Sequence, residues 1–177
     1  MRIIPSILSR RISFLRFEQI IRNEQKFRLQ MAYTTNIYIV GKRNGGEEWI
    51  QAGCDEYEKR LGPIMKLQTH FLKTDEDLVK SVQSINKGAV FCLDENGKMY
   101  DSVSFSKFIF ANGYTEGNSV VSFVIGGFAG LPPELKKGYS LLSLSKMTWT
   151  HQMARLLLIE QIYRACEINK GSSYHKG

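Results

Sequence analysis

The chain has 177 residues, of which 43% are hydrophobic and 23% charged, the balance of an ordinary globular domain with a core. No apolar run approaches the roughly 18 residues that a membrane-spanning helix needs, which argues against a transmembrane protein. The cysteines and histidines follow no disulfide-framework or metal-ligand spacing, so free thiols and no metal site are expected.

The net charge of +7 is unevenly distributed along the chain. Residues 1–30 contain seven Arg and Lys against two Glu and so carry +5, whereas the other 147 residues carry only +2. An Arg-rich, acid-poor amphipathic leader predicts a transit peptide for a mitochondrion or plastid. The alternatives are an ordinary amphipathic helix, or an extension that precedes a true translation start at Met31. Without a transit peptide, the protein is expected in the cytoplasm. We assign residues 1–34 to an N-terminal extension and residues 35–177 to one domain.

From residue 36 onward, strand-type and helix-type patterns alternate. Strands are predicted over residues 36–40, 66–71, 89–93, 120–125 and 139–144, and helices over residues 47–61, 75–85, 105–111, a short segment from Pro132, and 151–168. Thr150 is predicted to cap the last helix, and the turn signal Glu95-Asn96-Gly97 is predicted to end the third strand. The alternation predicts an α/β fold with a mostly parallel sheet and helices on both faces.

Three of the predicted strands end in segments suited to ligand binding: Leu93-Asp94, the glycine turn 126–130 and the loop 144–149. Ligands of open α/β sheets bind beyond the carboxyl ends of strands, so these segments, if adjacent, form one crevice for a polar, nucleoside-like ligand. Taken alone, the glycine turn is more typical of a tight strand-to-helix connection. It matches neither the GxGxxG nor the phosphate-loop fingerprint.

The last predicted helix is apolar nearly all round, which predicts burial on several sides. A subunit interface of a twofold dimer explains this economically, and a central core helix within one monomer is the alternative. The tail after the helix contains Tyr174, His175 and Lys176. These side chains suit binding to a phosphate and stacking on a base, unless the tail is simply a frayed end.

Five motifs follow one another in the second half of the chain: FVIGGFAG (123–130), LSLSKMT (142–148), HQMAR (151–155), LIEQIYRA (158–165) and YHK (174–176). In this order and spacing the chain resembles the RlmH family, the 23S ribosomal RNA pseudouridine N3-methyltransferases of the SPOUT superfamily, over roughly residues 36–177. It departs from the family pattern at Thr150 and Ser173, where the family often has proline. These two departures affect local loop geometry.

The resemblance implies a SPOUT-type fold with a C-terminal trefoil knot and an obligate homodimer that holds S-adenosylmethionine in the knot. It implies large-subunit ribosomal RNA as the substrate, methylated at N3 of a pseudouridine in the decoding-region stem-loop, with neither membrane nor metal involved. The residues that match the family's cofactor contacts are Leu93, Gly126, Leu144, Ser145, Lys146, Met147, Thr148 and Trp149.

Four residues are candidates for the chemistry of methyl transfer: His151, Arg155, Tyr174 and His175. His175 is a candidate proton acceptor, and Arg155 is a candidate bidentate partner of a phosphate or a uracil-type oxygen. The resemblance suggests that the tail of one subunit reaches the cleft of the other. The alternatives are structural, with His151 capping the helix and Arg155 pairing with a carboxylate. For the whole protein, the alternative is a non-catalytic RNA-binding module.

Overall fold

Five strands form one parallel sheet in the computed structural model, which describes residues 33–43, 47–114 and 119–176. The strands are β1 (Thr34–Val40), β2 (Lys66–Leu72), β3 (Ala89–Met99), β4 (Val120–Ile125) and β5 (Ser140–Ser143), in the order β2-β1-β4-β3-β5. Every neighbouring pair is parallel, so all carboxyl ends lie at one edge of the sheet. The predicted α/β fold is confirmed, and the trefoil knot stays a prediction.

The first strand begins earlier than predicted. Thr34 already pairs with Lys66 and with Val120, so the sheet starts inside the segment that we assigned to the extension. Residues 1–32 lie outside the described residues. The extension and its role as a transit peptide therefore stay predictions.

The helices among the described residues are α1 (Glu48–Leu61), α2 (Asp75–Gln83), α3 (Ser102–Phe108), α4 (Pro133–Gly138) and α5 (His151–Lys170), with a π-helical turn (Ile109–Gly113) after α3. Thr74, Asp101 and Thr150 each cap a helix by accepting a hydrogen bond from the backbone N–H three residues later. The predicted cap at Thr150 is therefore confirmed. None of these helices is both long and apolar enough to cross a membrane.

Alternate side chains of the strands face two different cores. Ile37 and Ile39 of β1 belong to the larger core cluster, which α1, α3 and α5 cover. Tyr38 and Val40 pack instead against the smaller cluster, which α2 and α4 cover. The helices therefore lie on both faces of the sheet, as predicted, and leave its carboxyl edge to the connecting loops.

The third strand does not end at the predicted turn. β3 continues to Met99, and Leu142 of β5 pairs with both Leu93 and Lys98, so residues 94–97 bulge out of the ladder. The turn itself forms, since the Asp94 carboxylate accepts a hydrogen bond from the Asn96 N–H at 2.9 Å. The predicted strand end is wrong because β3 rejoins β5 after the turn, and the turn residues do not encode that long-range pairing.

Gly97→Ala is expected to destabilise the protein, because a Cβ at residue 97 would lie 2.5 Å from the backbone nitrogen of Leu142. We expect the free energy of unfolding, measured by urea denaturation, to fall by about 2 kcal/mol. Gly138→Ala is the matched control, since a Cβ there meets nothing within 4 Å. Equal stability of the two variants would contradict the close approach of the bulge to β5.

Candidate active site

A cleft of about 320 Å³ lies at the carboxyl edge of the sheet, where β3, β4 and β5 meet their loops. The lining comes from three segments: residues 93–95 in β3, residues 125–131 at the end of β4 and in the glycine turn, and residues 142–145 and 147–149 in β5 and the loop after it. Lys136 of α4 and His151 and Ala154 of α5 complete the lining. The structure thus brings the three strand-end segments together around a space of the size that small-molecule sites have.

Most of the residues that match the family's cofactor contacts line this cleft: Leu93, Gly126, Leu144, Ser145, Met147, Thr148 and Trp149. Lys146 belongs to the same loop, but it is exposed and does not line the cleft. The position of these residues is a structural observation, and their role in binding a cofactor stays a prediction.

The glycine turn after β4 forms one wall of the cleft. Its two ends meet where the Gly130 N–H donates to the Gly127 carbonyl at 3.0 Å. A Cβ at Gly126 would overlap the Gly130 carbonyl and the backbone nitrogen of Leu131, and Gly130 has a φ of +82°. The turn is therefore tight, as its sequence alone suggested, and its tightness places the backbone along the cleft.

Hydrogen bonds within the loop after β5 order the opposite wall. The Ser143 hydroxyl donates to the Ser145 carbonyl at 2.9 Å, and the Met147 N–H donates to the Ser145 hydroxyl oxygen at 2.9 Å. The Thr148 hydroxyl donates to the Glu95 carboxylate at 3.4 Å, which links this loop to the β3 bulge. The loop conformation is thus fixed before any ligand contacts it.

Asp94 and Lys136 form an ion pair of 2.8 Å at the cleft, with side chains 6% and 41% exposed. Burial by itself raises the pKa of Asp94, but the hydrogen bonds from Lys136 and from the Asn96 N–H outweigh burial and hold the pKa below its usual value. The carboxylate is therefore ionised at neutral pH. Because Lys136 lies in the same lining, the pair gives the cleft a hydrogen-bond acceptor and a donor and no net charge.

Sequence reasoning did not single out Lys136. Asp94 was noticed because it follows a strand, but a lysine on a short, exposed helix carries no local sign of its partner. The available signal was indirect: α4 begins soon after the glycine turn, so its residues return to the edge of the sheet where that turn lies. Only the tertiary structure shows that Lys136 meets Asp94.

Two of the candidate catalytic residues lie in the first turns of α5, in different surroundings. His151 lines the cleft. Arg155 is 1% exposed and does not line it. Its Nη2 donates to the amide oxygen of Gln51 at 2.9 Å, and its guanidinium carbon lies 5.0 Å from the centre of the Phe71 ring. Arg155 therefore joins α5 to α1 through an amide, where the structural alternative expected a carboxylate.

The two candidates in the tail lie against the middle of α5. The Tyr174 hydroxyl donates to Glu160 at 3.2 Å, and His175 Nδ1 lies 3.4 Å from Nη1 of Arg164. Burial raises the pKa of Tyr174, so its phenol stays protonated at neutral pH and acts as a donor. Since Glu160 follows Ala154, the last residue of α5 in the cleft lining, by six residues, the tail contacts α5 about 9 Å further along the helix axis than the cleft does.

The thiols offer no nucleophile to the cleft. Cys54, Cys92 and Cys166 are free and buried, and burial raises the pKa of Cys92 and of Cys166 to about 12. Within the described part of the chain, no group of three or more His, Cys, Asp or Glu side chains is placed to hold a metal ion. The polar groups that line the cleft are backbone groups, hydroxyls, Glu95, the Asp94–Lys136 pair and His151.

Comparison with known proteins finds relatives that align with most of the chain. Residues 33–175 match the family model described as "Predicted SPOUT methyltransferase". The "Ribosomal RNA large subunit methyltransferase H" of Protochlamydia amoebophila is 42% identical over 140 residues, which are 79% of this chain and 96% of the relative. Proteins of the same name from Dictyoglomus thermophilum and Prochlorococcus marinus are 37% and 40% identical, over 78% and 80% of this chain and 97% and 91% of their own.

A solved structure shares the fold. A probable methylase family protein from Haemophilus influenzae aligns with 84% of this chain and 72% of its own length, at a TM-score of 0.50 and 10% sequence identity. At so low an identity the likeness concerns the fold alone.

Lys136→Met is expected to raise the pKa of Asp94, because burial remains while the ammonium group that opposes it is lost. A carboxyl-carbon NMR titration measures the change. At neutral pH the variant should also lose about 1 kcal/mol of unfolding free energy. The ion pair lowers the pKa of Asp94 in the folded protein below the usual value of 3.8. The contribution of the ion pair to the unfolding free energy is therefore complete above pH 3.8 and is lost as the pH falls through the pKa of the folded state.

Lys137→Met is the matched control for this experiment, because it removes the neighbouring charge and leaves the Asp94–Lys136 pair intact. It should leave the Asp94 titration unchanged. A pKa shift of the same size in both variants would show that the general positive field of α4, and not the ion pair, acts on Asp94.

Proposed function

Because the chain belongs to the SPOUT methyltransferase family, we propose that it transfers a methyl group from S-adenosylmethionine to large-subunit ribosomal RNA. The observation that carries the proposal is the cleft between the glycine turn after β4 and the loop after β5. Curated relatives named for this activity align with the chain over nearly their whole length, which supports the same activity here.

The cleft suits S-adenosylmethionine in size and in chemistry. Its volume of about 320 Å³ falls in the range of small-molecule sites. The turn and the loop present backbone N–H and carbonyl groups to a nucleoside, and Asp94 and Glu95 add carboxylate oxygens to the lining. The direct backbone contact at Gly126 leaves no room for a side chain in this wall. When bound, S-adenosylmethionine supplies an electrophilic methyl group on its sulfonium.

The residues proposed to hold the cofactor are those of the family resemblance: Leu93, Gly126, Leu144, Ser145, Lys146, Met147, Thr148 and Trp149. For Lys146, whose side chain is exposed, the proposal concerns its backbone. Asp94 and Lys136 are added because they form the charged pair of the same cleft.

The proposed target atom is N3 of a pseudouridine, as in the family that the motifs resemble. An imide nitrogen carries a proton that must leave when a methyl group is added, so the site needs a proton acceptor. An imidazole accepts a proton near neutral pH, and His151 lines the cleft while His175 lies in the tail. The Tyr174 hydroxyl donates to Glu160, so its proposed role towards RNA requires that this hydrogen bond be exchanged. Buried Arg155 is a positioning residue that fixes the start of α5.

The proposed assembly is a homodimer in which the tail of one subunit completes the cleft of the other. Within one chain the tail contacts Glu160 and Arg164 and does not line the cleft, which favours a second subunit as the source of a catalytic His175. Met153, Leu156 and Leu157 of α5 are only half-buried, and these apolar side chains are available to a partner helix.

The purified protein is expected to bind S-adenosylmethionine, as measured by calorimetry. It is also expected to methylate large-subunit ribosomal RNA that is isolated from cells without this protein. Mass-spectrometric mapping of that RNA, with and without the protein, identifies the base and the position. Thr148→Trp, which fills the cleft, should abolish cofactor binding, whereas Val103→Trp on α3, which does not line the cleft, should not. RNA binding without cofactor binding would favour the non-catalytic RNA-binding module.

Co-expressed variants test whether the two histidines act in one site shared between subunits. His151→Ala and His175→Ala are each expected to lower kcat about 100-fold, the contribution typical of a positioned proton acceptor. Co-expression should restore part of the activity, because a hybrid dimer pairs one intact cleft with one intact tail. Radiolabelled methyl transfer to RNA measures both effects.

His70→Gln is the control for this series, because His70 stacks on Tyr38 at 4.6 Å on the edge strand β2, outside the cleft lining. It should leave kcat unchanged. A wild-type rate for His175→Ala removes that residue from the mechanism, and hybrids that stay inactive contradict a shared site.

A further inference from the structure

Phe128 is fully exposed at the tip of the glycine turn. Its relative exposure is 105%, whereas the other exposed large hydrophobic side chains in the described ranges lie between 37% and 67%. A phenyl ring stabilises a fold through the apolar surface that it buries, so a ring that buries none contributes little to folding. Since Phe128 also lines the cleft, its exposure coincides with the site proposed for methyl transfer.

The backbone beneath Phe128 is held in place. The bridge between Gly127 and Gly130 closes the turn, and Gly126 packs directly against the Gly130 backbone. A Cβ at Gly127 would lie 3.3 Å from the Val40 side chain, so the turn is also packed from below. The ring is therefore presented on a backbone with little freedom to move, which lowers the entropy lost when a ligand binds.

Two surfaces of different character adjoin this turn. On one side is the cleft of the candidate active site, with Met147 and Trp149 67% and 37% exposed. On the other side is a second cleft of about 460 Å³, lined by Asp75, residues 129–133, Lys136 and Lys137. The two clefts share residues 129–131 and Lys136. Lys136 is engaged with Asp94, so exposed Lys137 supplies the available positive charge of the second cleft.

We propose that Phe128 is a stacking platform for a nucleobase next to the methylated nucleotide, and that Lys137 binds the adjoining phosphate at the second cleft. An exposed aromatic ring near a lysine combines base stacking with a phosphate contact, the two elements with which proteins bind single-stranded nucleic acid. Asp75 also lines the second cleft, so the phosphate contact depends on Lys137 itself and not on a positive field of the whole groove. The inference rests on the proposed function, since it takes RNA as the ligand. It assigns to this chain an RNA contact that runs from Phe128, at the exposed side of the cleft, to Lys137 in the second cleft.

Three substitutions separate stacking from plain apolar contact: Phe128→Ala, Phe128→Leu and Phe128→Tyr. The measured quantity is the dissociation constant, by fluorescence anisotropy, for an in vitro transcript of the decoding-region stem-loop of large-subunit ribosomal RNA. Ala and Leu should weaken binding about tenfold, and Tyr should stay within about twofold of the wild type, because base stacking needs an aromatic face. Because Phe128 lines the cleft, calorimetry with S-adenosylmethionine accompanies the three variants. A loss of cofactor affinity as large as the loss of RNA affinity would place the ring against the cofactor and overturn the stacking role.

The salt dependence of binding separates the ring from the lysine. Lys137→Met should reduce the magnitude of the slope of log K against log salt concentration by about 0.7, the value for one lost phosphate contact on a single strand. Phe128→Ala should leave the slope unchanged, because a neutral ring releases no counterions.

Wild-type affinity in Phe128→Leu would overturn the stacking role. So would a shift of Phe128→Ala towards the monomer in analytical ultracentrifugation, which would place the ring against a partner subunit. Because the readout is RNA binding, a wild-type protein that binds this RNA without methylating it contradicts the proposed function and still permits the Phe128 test. A wild-type protein that does not bind the RNA overturns both.

Discussion

The direct backbone contact of Gly126 with Gly130 and Leu131 is the constraint on which the cleft depends. It folds the segment after β4 back on itself, so this segment lies as a wall along the carboxyl edge of the sheet. Any side chain at Gly126 would separate the two backbones and displace that wall. The same closed turn presents Phe128 to solvent, so one contact serves both the cleft proposed for the cofactor and the proposed RNA surface.

The charges of the cleft depend on a second close approach, that of the β3 bulge to β5. Gly97 lies against the Leu142 backbone, and this brings Asp94 beneath the loops, where it meets Lys136 of α4. Without the lysine, a nearly buried carboxylate would lose its ionic partner and its pKa would rise. The bulge, the ion pair and the Thr148–Glu95 hydrogen bond thus connect the three walls of the cleft to one another.

The candidate catalytic residues divide into two groups along α5. His151 belongs to the cleft, whereas Tyr174 and His175 are held by Glu160 and Arg164 further along the helix. Arg155 lies between the groups and is buried against Gln51 and Phe71, which fixes the helix that carries both. This separation makes the proposed homodimer part of the chemical argument, because within one chain the tail lies away from the cleft.

The amino-acid sequence by itself determined the alternation of strands and helices, the cap at Thr150 and the membership of a family. These features depend on side-chain periodicity, on hydrogen bonds that span three residues, or on an ordered series of motifs. The tertiary structure alone decided that β3 continues beyond its turn, that Lys136 pairs with Asp94, that Arg155 is buried away from the cleft, and that the tail lies against Glu160. Each of these depends on a contact between segments distant in the chain, whose free energy comes from packing and charge in three dimensions and leaves no periodic or local pattern in the sequence.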